Sequence, residues 1–463
     1  MHQRQCLLLS VLLAFWRSAE GLPAPQIGDY GENTGAVGGV VPPIPTASAR
    51  SGSLRGDSSL LGGNAPLPGQ EADAKLGLYL DFNSADPPQP IRGTGGATDP
   101  GPRTFEYEKL NPDLFAPPGT DQGDMPNLMW PMGLSANRPG SGKNSGWARQ
   151  QNTDVLPAAK KMAGVNMRLS PNAYRELHWH TANEWALVLK GCTRVAAVDD
   201  EGRSFVDDVC AGDTWFFPAG VPHSLQAFDE GSEFLLVFDQ GDFTDNGTFL
   251  VTELFLRNPI EVLSKDLQAS VEAFDNLPPD QLYIFNGTPP PLNISEQNVT
   301  GPAGSISGNG SYTYHWSQQE PYTVPGGSVK ILDPLTFPVA SMFSAALVVV
   351  QPRALREIHW HTTSDEWNFF LQGAGRITAY AAPVSSRTYD FTAGGVGYVP
   401  QGCGHYIENT GTEDLIFLEV LQAPKFTDIS VSQWLGLTPK QIKPIIVPGN
   451  TDLTALAGNG TAF

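Results

Sequence analysis

"RELHWHTANEW", residues 175–185, sets two histidines one residue apart and a glutamate four residues after the second. "REIHWHTTSDEW", residues 356–367, repeats the arrangement with one extra residue before its glutamate. On a strand, side chains at i and i+2 share a face. His178 and His180 therefore point together, and so do His359 and His361. A short turn lets Glu184 and Glu366 return to the same pocket from the following strand. A second block, "GDTWFFPAGVPH", residues 212–223, ends in His223, and its counterpart ends in His405. His178 and His359 are 181 positions apart, and His223 and His405 are 182 apart. Such a near-constant offset means a duplicated domain. Three imidazoles and a carboxylate per copy suit a divalent transition metal, without separating manganese from iron. A lone histidine is more often a core residue than a ligand. Here that reading must account for six of the eight histidines falling into two matching triplets.

The surroundings read as strands. "AGVNMRL", "EWALVLKG", "TRVAAV", "DTWFFPAG" and "EFLLVF" are short runs broken by Gly, Pro and Asp. "AALVVVQP", "EWNFFLQG", "RITAYAA", "VGYVPQG" and "LIFLEVL" repeat the series. The spacing predicts an all-β protein, an antiparallel sandwich or barrel occurring twice. Periodicity adds a helical segment over 259–275 and a short helix over 430–441. The expected organisation is a signal peptide at 1–20 and a leader at 21–72. An N-terminal β domain with an irregular arm follows at 73–258, then a helical segment and linker at 259–324. A C-terminal β domain at 325–424 and a tail at 425–463 complete the chain.

The formal charge of −20 over 463 residues argues against nucleic acid and anionic membrane surfaces as partners. "CLLLSVLLAF" followed by small residues reads as a secretory signal, too short to span a bilayer. Asn246, Asn286, Asn293, Asn298, Asn309 and Asn459 lie in N-x-S/T sequons. A secreted, extracellular glycoprotein is the expectation. Cys6 leaves with the signal. Cys192 and Cys210 either bridge neighbouring strands or stay free beside Cys403.

The histidine spacing resembles the two motifs of the cupin family. The first, G-x5-H-x-H-x3,4-E-x6-G, matches in both halves from its first His to Gly191 and Gly373. Its opening Gly is missing: Asn172 stands there in one half, Pro352 or Arg353 in the other. The second, G-x5-P-x-G-x2-H-x3-N, is complete as Gly394, Pro400, Gly402, His405 and Asn409. The first half has Gly212, Pro218, Gly220 and His223, then Ala227 in place of Asn. Cupins are jelly-roll barrels. "PIRGTGGATDPGP", "NPDLFAPPGTDQGDMPN", "GWARQ", "RELHWH" and "FLLVFDQGDFTDNGTF" look like bicupin oxalate decarboxylases of the secreted fungal type, over roughly residues 75–440. The resemblance implies one manganese ion in each of two cupin domains, dioxygen as co-catalyst, and oxalate converted to formate and CO2. It also implies a homo-oligomer.

Four further residues acquire expected roles. Arg175 and Arg356 stand three residues before the first histidine of each motif, where a guanidinium would hold a substrate carboxylate. Strict alternation puts Arg175 on the face of Trp179, so it reaches the site only across a bulge. Otherwise it is a surface arginine in an ion pair. Decarboxylation needs a proton delivered to carbon, and a carboxylic acid in a dry pocket is the natural donor. Glu419 in the apolar "FLEVL" is one candidate, with Val237 as its first-half equivalent. Asp245 in "TDNGT" is the other, where the family carries a lid that typically bears Glu. A donor one methylene shorter favours the competing oxidation to CO2 and hydrogen peroxide. Oxalate oxidase chemistry is therefore the alternative, and a non-catalytic storage bicupin the third reading. A glycan on Asn246 would hinder such a lid, so either that sequon is bare or the loop is no lid.

Overall fold

The computed structural model describes residues 120–297 and 299–439. The expected signal peptide, the leader, the arm before residue 120, the tail beyond residue 439, Cys6, Asn298 and Asn459 lie outside the described residues.

Two antiparallel β units follow one another. The first is built on Ala163–Leu169, Tyr174–Trp179, Glu184–Val198, Ser204–Cys210, Thr214–Phe217 and His223–Phe238. The second uses Ser344–Val350, Leu355–Trp360, Glu366–Gln372, Ala374–Ala381, Ser385–Thr392, Gly395–Val399, Gly404–Asn409 and Leu415–Leu421. These segments are rich in β-branched and aromatic residues, which fit a pleated, half-buried surface. The all-β expectation and the duplication both hold.

Backbone sterics fix the turns. Gly191 and Gly373 have φ of +67° and +81°. A Cβ on Gly191 would lie 2.0 Å from the Gly231 carbonyl oxygen, so only glycine fits. At the missing opening glycine, Asn172 and Arg353 both adopt the left-handed conformation, with φ of 62° and 68°. Of the two expected positions in the second half, Arg353 is the equivalent one. Asn409 closes its turn by donating to the carbonyls of Val350 and Glu413 at 2.7 and 2.8 Å. Ala227, its counterpart, is fully buried and has no side chain to close the turn, leaving the backbone bond from its N–H to Ala173.

The two units share a core. Trp185, Leu235 and Val237 pack in one cluster with Trp367, Phe369 and Val420. The Trp367 ring lies so close to Gly164 that a Cβ there would sit 2.3 Å from it, and its indole N–H donates to Gln151 at 2.7 Å. Met129–Pro131 crosses over to pair with Gly395–Val399 of the second unit. The linker packs back on the first: Ile284–Phe285 pairs with Tyr174–Trp179, and Thr313–Tyr314 pairs with Thr214–Phe217.

The helices differ from expectation. A single helical segment over 259–275 gives way to a helix at Ile260–Asp266, a break at Gln268 with φ of 52°, and a 3-10 turn at Val271–Phe274. A helix over Val251–Leu256, hidden in a β-like composition, precedes them. The tail helix covers Val431–Leu437.

Of the two readings of the cysteines, the structure has the bridge: Cys192 and Cys210 face each other on paired strands and are joined by a disulfide. Cys403 is the free cysteine among the described residues. The sequence separation of 18 closes a short loop. A bridge over such a loop is worth about 3 kcal/mol against the unfolded chain. Replacing both cysteines by alanine should lower the unfolding free energy by about that much, read from urea titrations monitored by tryptophan fluorescence. An unchanged midpoint would mean that the bridge stabilises nothing.

Candidate metal centres and the carboxylates around them

His178, His180, Glu184 and His223 are buried, with one potential ligand atom from each within 4.8 Å of all the others. His359, His361, Glu366 and His405 form the same group in the second unit. Strand geometry brings them together: His178 and His223 are cross-strand partners, as are His359 and His405.

All six imidazoles engage a backbone carbonyl through Nδ1. The partners are Glu176, Ala182 and Val221 in the first centre, and Glu357, Thr427 and Cys403 in the second. This pins the tautomer with the proton on Nδ1 and leaves the Nε2 lone pair facing inward. The Nε2 atoms of His223 and His359, and Oε1 of Glu366, are buried without a hydrogen-bond partner, while His361 Nε2 lies 2.7 Å from Glu366 Oε2. Such orphaned acceptors are costly unless something electrophilic satisfies them. Burial, with Arg175 and the neighbouring imidazoles adding, holds His178 well below the usual histidine range. Burial, with Arg356, does the same for His359. Burial opposes the charge on Glu184, but His180 and His223 hold it well below the usual carboxylate range. In the second centre burial opposes charge on His361, but the Glu366 carboxylate beside it raises it. A divalent cation takes the place of such protons, because it binds imidazoles in their neutral form and carboxylates ionised.

The two centres differ in their surroundings. Trp215 donates its indole N–H to Glu184 Oε1 at 2.7 Å. Gly397 stands at the equivalent place by register, so Glu366 lacks that donor.

Each arginine reaches its centre across an irregularity. The pairing register shifts between Arg175 and His178, and again between Arg356 and His359. The shift buries both Arg175 and Glu176 and turns Leu177 outward, so Arg175 is no surface residue. Its guanidinium meets Asp245 Oδ1 at 3.2 Å. Asp245 itself is buried in a 3-10 turn, Asp245–Gly247, on the loop that follows His223–Phe238. Arg138, which the sequence did not single out, holds the other oxygen of Asp245 at 3.0 Å. Arg356 is paired with Asp428 and lies 3.6 Å from Glu419. Asp428 is also a residue that sequence reasoning missed, and it precedes the strand Ile429–Ser430, which pairs with Leu355–Trp360. Glu419 is fully buried with neither oxygen hydrogen-bonded. Burial, with Glu366 adding and Arg356 opposing, pushes its carboxyl up to about 8. It is therefore a neutral acid at mildly acidic pH.

Two sequence readings need correction. Strand register makes Leu236, not Val237, the counterpart of Glu419: Glu419 opposes Asn368 where Leu236 opposes Ala186. Asn246 is exposed while Asp245 points inward, so a glycan there projects to solvent with the loop in this position. The steric reason for a bare sequon therefore falls away.

The chain matches the family model described as Cupin over residues 133–274 and 315–445. It is 44% identical over 355 residues to the Bacillus subtilis oxalate decarboxylase OxdC, spanning 77% of this chain and 91% of that one. A probable oxalate decarboxylase of Arthroderma benhamiae is 39% identical over 362 residues, 77% of this chain and 88% of the relative. A solved structure concerned with the Mn(II) centres of the B. subtilis enzyme superposes with a TM-score of 0.73 at 42% identity. It covers 80% of this chain and 96% of that one. A Lactobacillus farciminis oxalate decarboxylase in complex with formate gives a TM-score of 0.71 at 42% identity, over 73% of this chain and 99% of the other.

Purified protein should carry two divalent ions per chain, counted by elemental analysis against protein concentration. His405→Ala should leave about one, because each centre has its own four ligands. Loss of both ions from that single change would show that the centres are not independent.

Proposed function

The chain belongs to the bicupin oxalate decarboxylase family, and from that premise we propose that it is a carboxy-lyase splitting oxalate into formate and CO2 at its first metal centre. The observation that carries the choice of centre is the state of the two arginines. Oxalate is a small dianion whose free carboxylate needs a guanidinium. Arg175 is held by Asp245, which sits on a loop and can yield its place. Arg356 is bracketed by Asp428 and Glu419. Asp428 directly precedes the paired strand Ile429–Ser430 and follows Thr427, whose carbonyl His361 holds at 2.8 Å. A substrate would have to break that arrangement to enter the second centre.

Two manganese ions, one per domain, fit the two ligand sets. Bound there, manganese supplies an open position for a carboxylate oxygen and a change of oxidation state. The rest falls to side chains. Arg175 orients the substrate's second carboxylate and neutralises charge that builds there. With Arg175 given over to substrate, one oxygen of Asp245 loses its cation and is free to take a proton. Asp245 then delivers it to the carbon left when CO2 departs. Protonated oxalate monoanion thus gives formate and CO2 with no net change in electrons. If the proton arrives too late, oxalate, dioxygen and two protons give two CO2 and one hydrogen peroxide.

Secretion and glycosylation belong to the same reading. Asn246, Asn286, Asn293 and Asn309 are all exposed sequons, which supports it. Self-association is supported by apolar side chains left outside both His-bearing strands: Leu177 and Ile358 are exposed, and so are Trp434 and Leu437 of the tail helix. No helix among the described residues is long and apolar enough to cross a membrane.

The direct test is manganese-loaded protein with oxalate at mildly acidic pH in air, with formate and peroxide measured in one tube. The expectation is close to one formate per oxalate and little peroxide. Peroxide as the main product would make the protein an oxidase, with Asp245 too short to deliver its proton. Neither product would remove oxalate as the substrate.

A further inference from the structure

We propose that Arg138 is a second positioning arginine of the first site, which keeps the loop around Asp245 closed while Arg175 passes from Asp245 to the substrate. The inference rests on the oxalate reading above for its kinetic consequence, but not for its structural one. Asp245 divides its carboxylate: Oδ1 goes to Arg175 at 3.2 Å and Oδ2 to Arg138 at 3.0 Å. Arg138 also donates to the backbone carbonyl of Asp245 at 3.3 Å and to Gln281 at 3.0 Å. It therefore holds the loop by main chain as well as by side chain. Gln150 accepts from the Asp245 backbone N–H at 3.0 Å, fixing the same turn from the other side. Both guanidinium groups lie over the Tyr283 ring, at 3.8 Å for Arg138 and 4.5 Å for Arg175. The aromatic face suits stacked guanidinium groups. Tyr283 is anchored in turn, since its backbone N–H donates to Glu176 on the His-bearing strand at 2.7 Å.

The two arginines differ in exposure. The Arg175 side chain is 2% exposed and that of Arg138 is 26% exposed. Arg175 is buried on the strand Tyr174–Trp179 that carries His178, whereas Arg138 lies at the rim. A substrate carboxylate entering the centre competes with Asp245 for Arg175 alone. Without Arg138, the displaced carboxylate would have no cation to turn to, and the loop would leave with it. Water and dioxygen would then reach the reacting carbon before the proton does. With Arg138 in place, Asp245 gives up one oxygen contact and keeps the other. The acid stays beside the carbon it must protonate. In the second unit Arg356 is instead paired with Asp428, which directly precedes the strand Ile429–Ser430.

The test uses Arg138→Gln and Arg138→Lys in the full chain, with two readouts. The first is the rate at which chymotrypsin cuts after Phe243 and Phe249, followed by mass spectrometry on metal-free and manganese-loaded protein. The second is the ratio of formate to peroxide during turnover. One charge-assisted hydrogen bond lost corresponds to at least about a tenfold change in either population. Arg138→Gln should speed cleavage at these two sites about tenfold and lower the formate-to-peroxide ratio by a similar factor. Arg138→Lys, which keeps the charge but not the forked contact, should recover part of both. Unchanged cleavage and an unchanged ratio in Arg138→Gln would overturn the proposal, and so would a lower melting temperature accompanied by a wild-type ratio. If wild-type protein makes neither product, the oxalate reading fails. The proteolysis arm still decides whether Arg138 holds the loop.

Discussion

A guanidinium buried beside a metal centre cannot remain without a counter-charge, and both halves of this protein are arranged around that constraint. Desolvating an arginine costs several kcal/mol unless a carboxylate is within reach. Arg175 and Arg356 are both almost fully buried, and each has an internal carboxylate against it. The same property makes them suitable for a dianionic substrate. The internal partner is therefore a competitor, and how firmly it is held decides whether the arginine is available. Asp245 sits on a turn between two cations, while Asp428 directly precedes the short strand Ile429–Ser430 and is paired with Arg356. On the proposal above, one duplicated scaffold carries one site whose arginine partner yields to substrate and one whose partner stays.

The asymmetry extends to the packing. The position that carries Glu419 in the second barrel carries Leu236 in the first, and Asn368 beside it becomes Ala186. The second barrel thus encloses polar side chains where the first is apolar. Neither side-chain atom of Asn368 has a hydrogen-bond partner, nor does either oxygen of Glu419. Burial raises the Glu419 carboxyl above the usual carboxylate range. A high affinity for a proton does not by itself make Glu419 a donor to substrate.

Much of this was legible in the sequence, for a physical reason. Four ligands at i and i+2 follow directly from the period of a strand, and the repeat of the whole arrangement in both halves names the other four. The strand runs, bounded by glycines that need positive φ, gave the barrels. What alternation could not supply was the inward turn of Arg175 and Arg356. That depends on a register shift visible only once the strands are paired. Counting residues from His405 also misplaced the partner of Glu419 by one. The first half runs continuously from His223 to Phe238, while the second breaks into a loop between Asn409 and Leu415. Arg138 and Asp428 were invisible for a different reason. They belong to short segments with no pattern of their own, and the chain brings them to the sites from far away in sequence. The Val251–Leu256 helix was missed because valine, threonine and phenylalanine there mimic a strand, and tertiary contacts override that preference.

The central claim is that the first centre performs the chemistry with Asp245 as proton donor. It is tested most directly by comparing Asp245→Asn with Glu419→Gln, both loaded with manganese, for formate formed per oxalate consumed. Both changes are close to isosteric, and each removes one acid from one centre. The account predicts that Asp245→Asn loses most of its formate while Glu419→Gln keeps a yield near that of the wild type. Loss of formate in Glu419→Gln, with Asp245→Asn unaffected, would place the reaction in the second barrel and contradict the account.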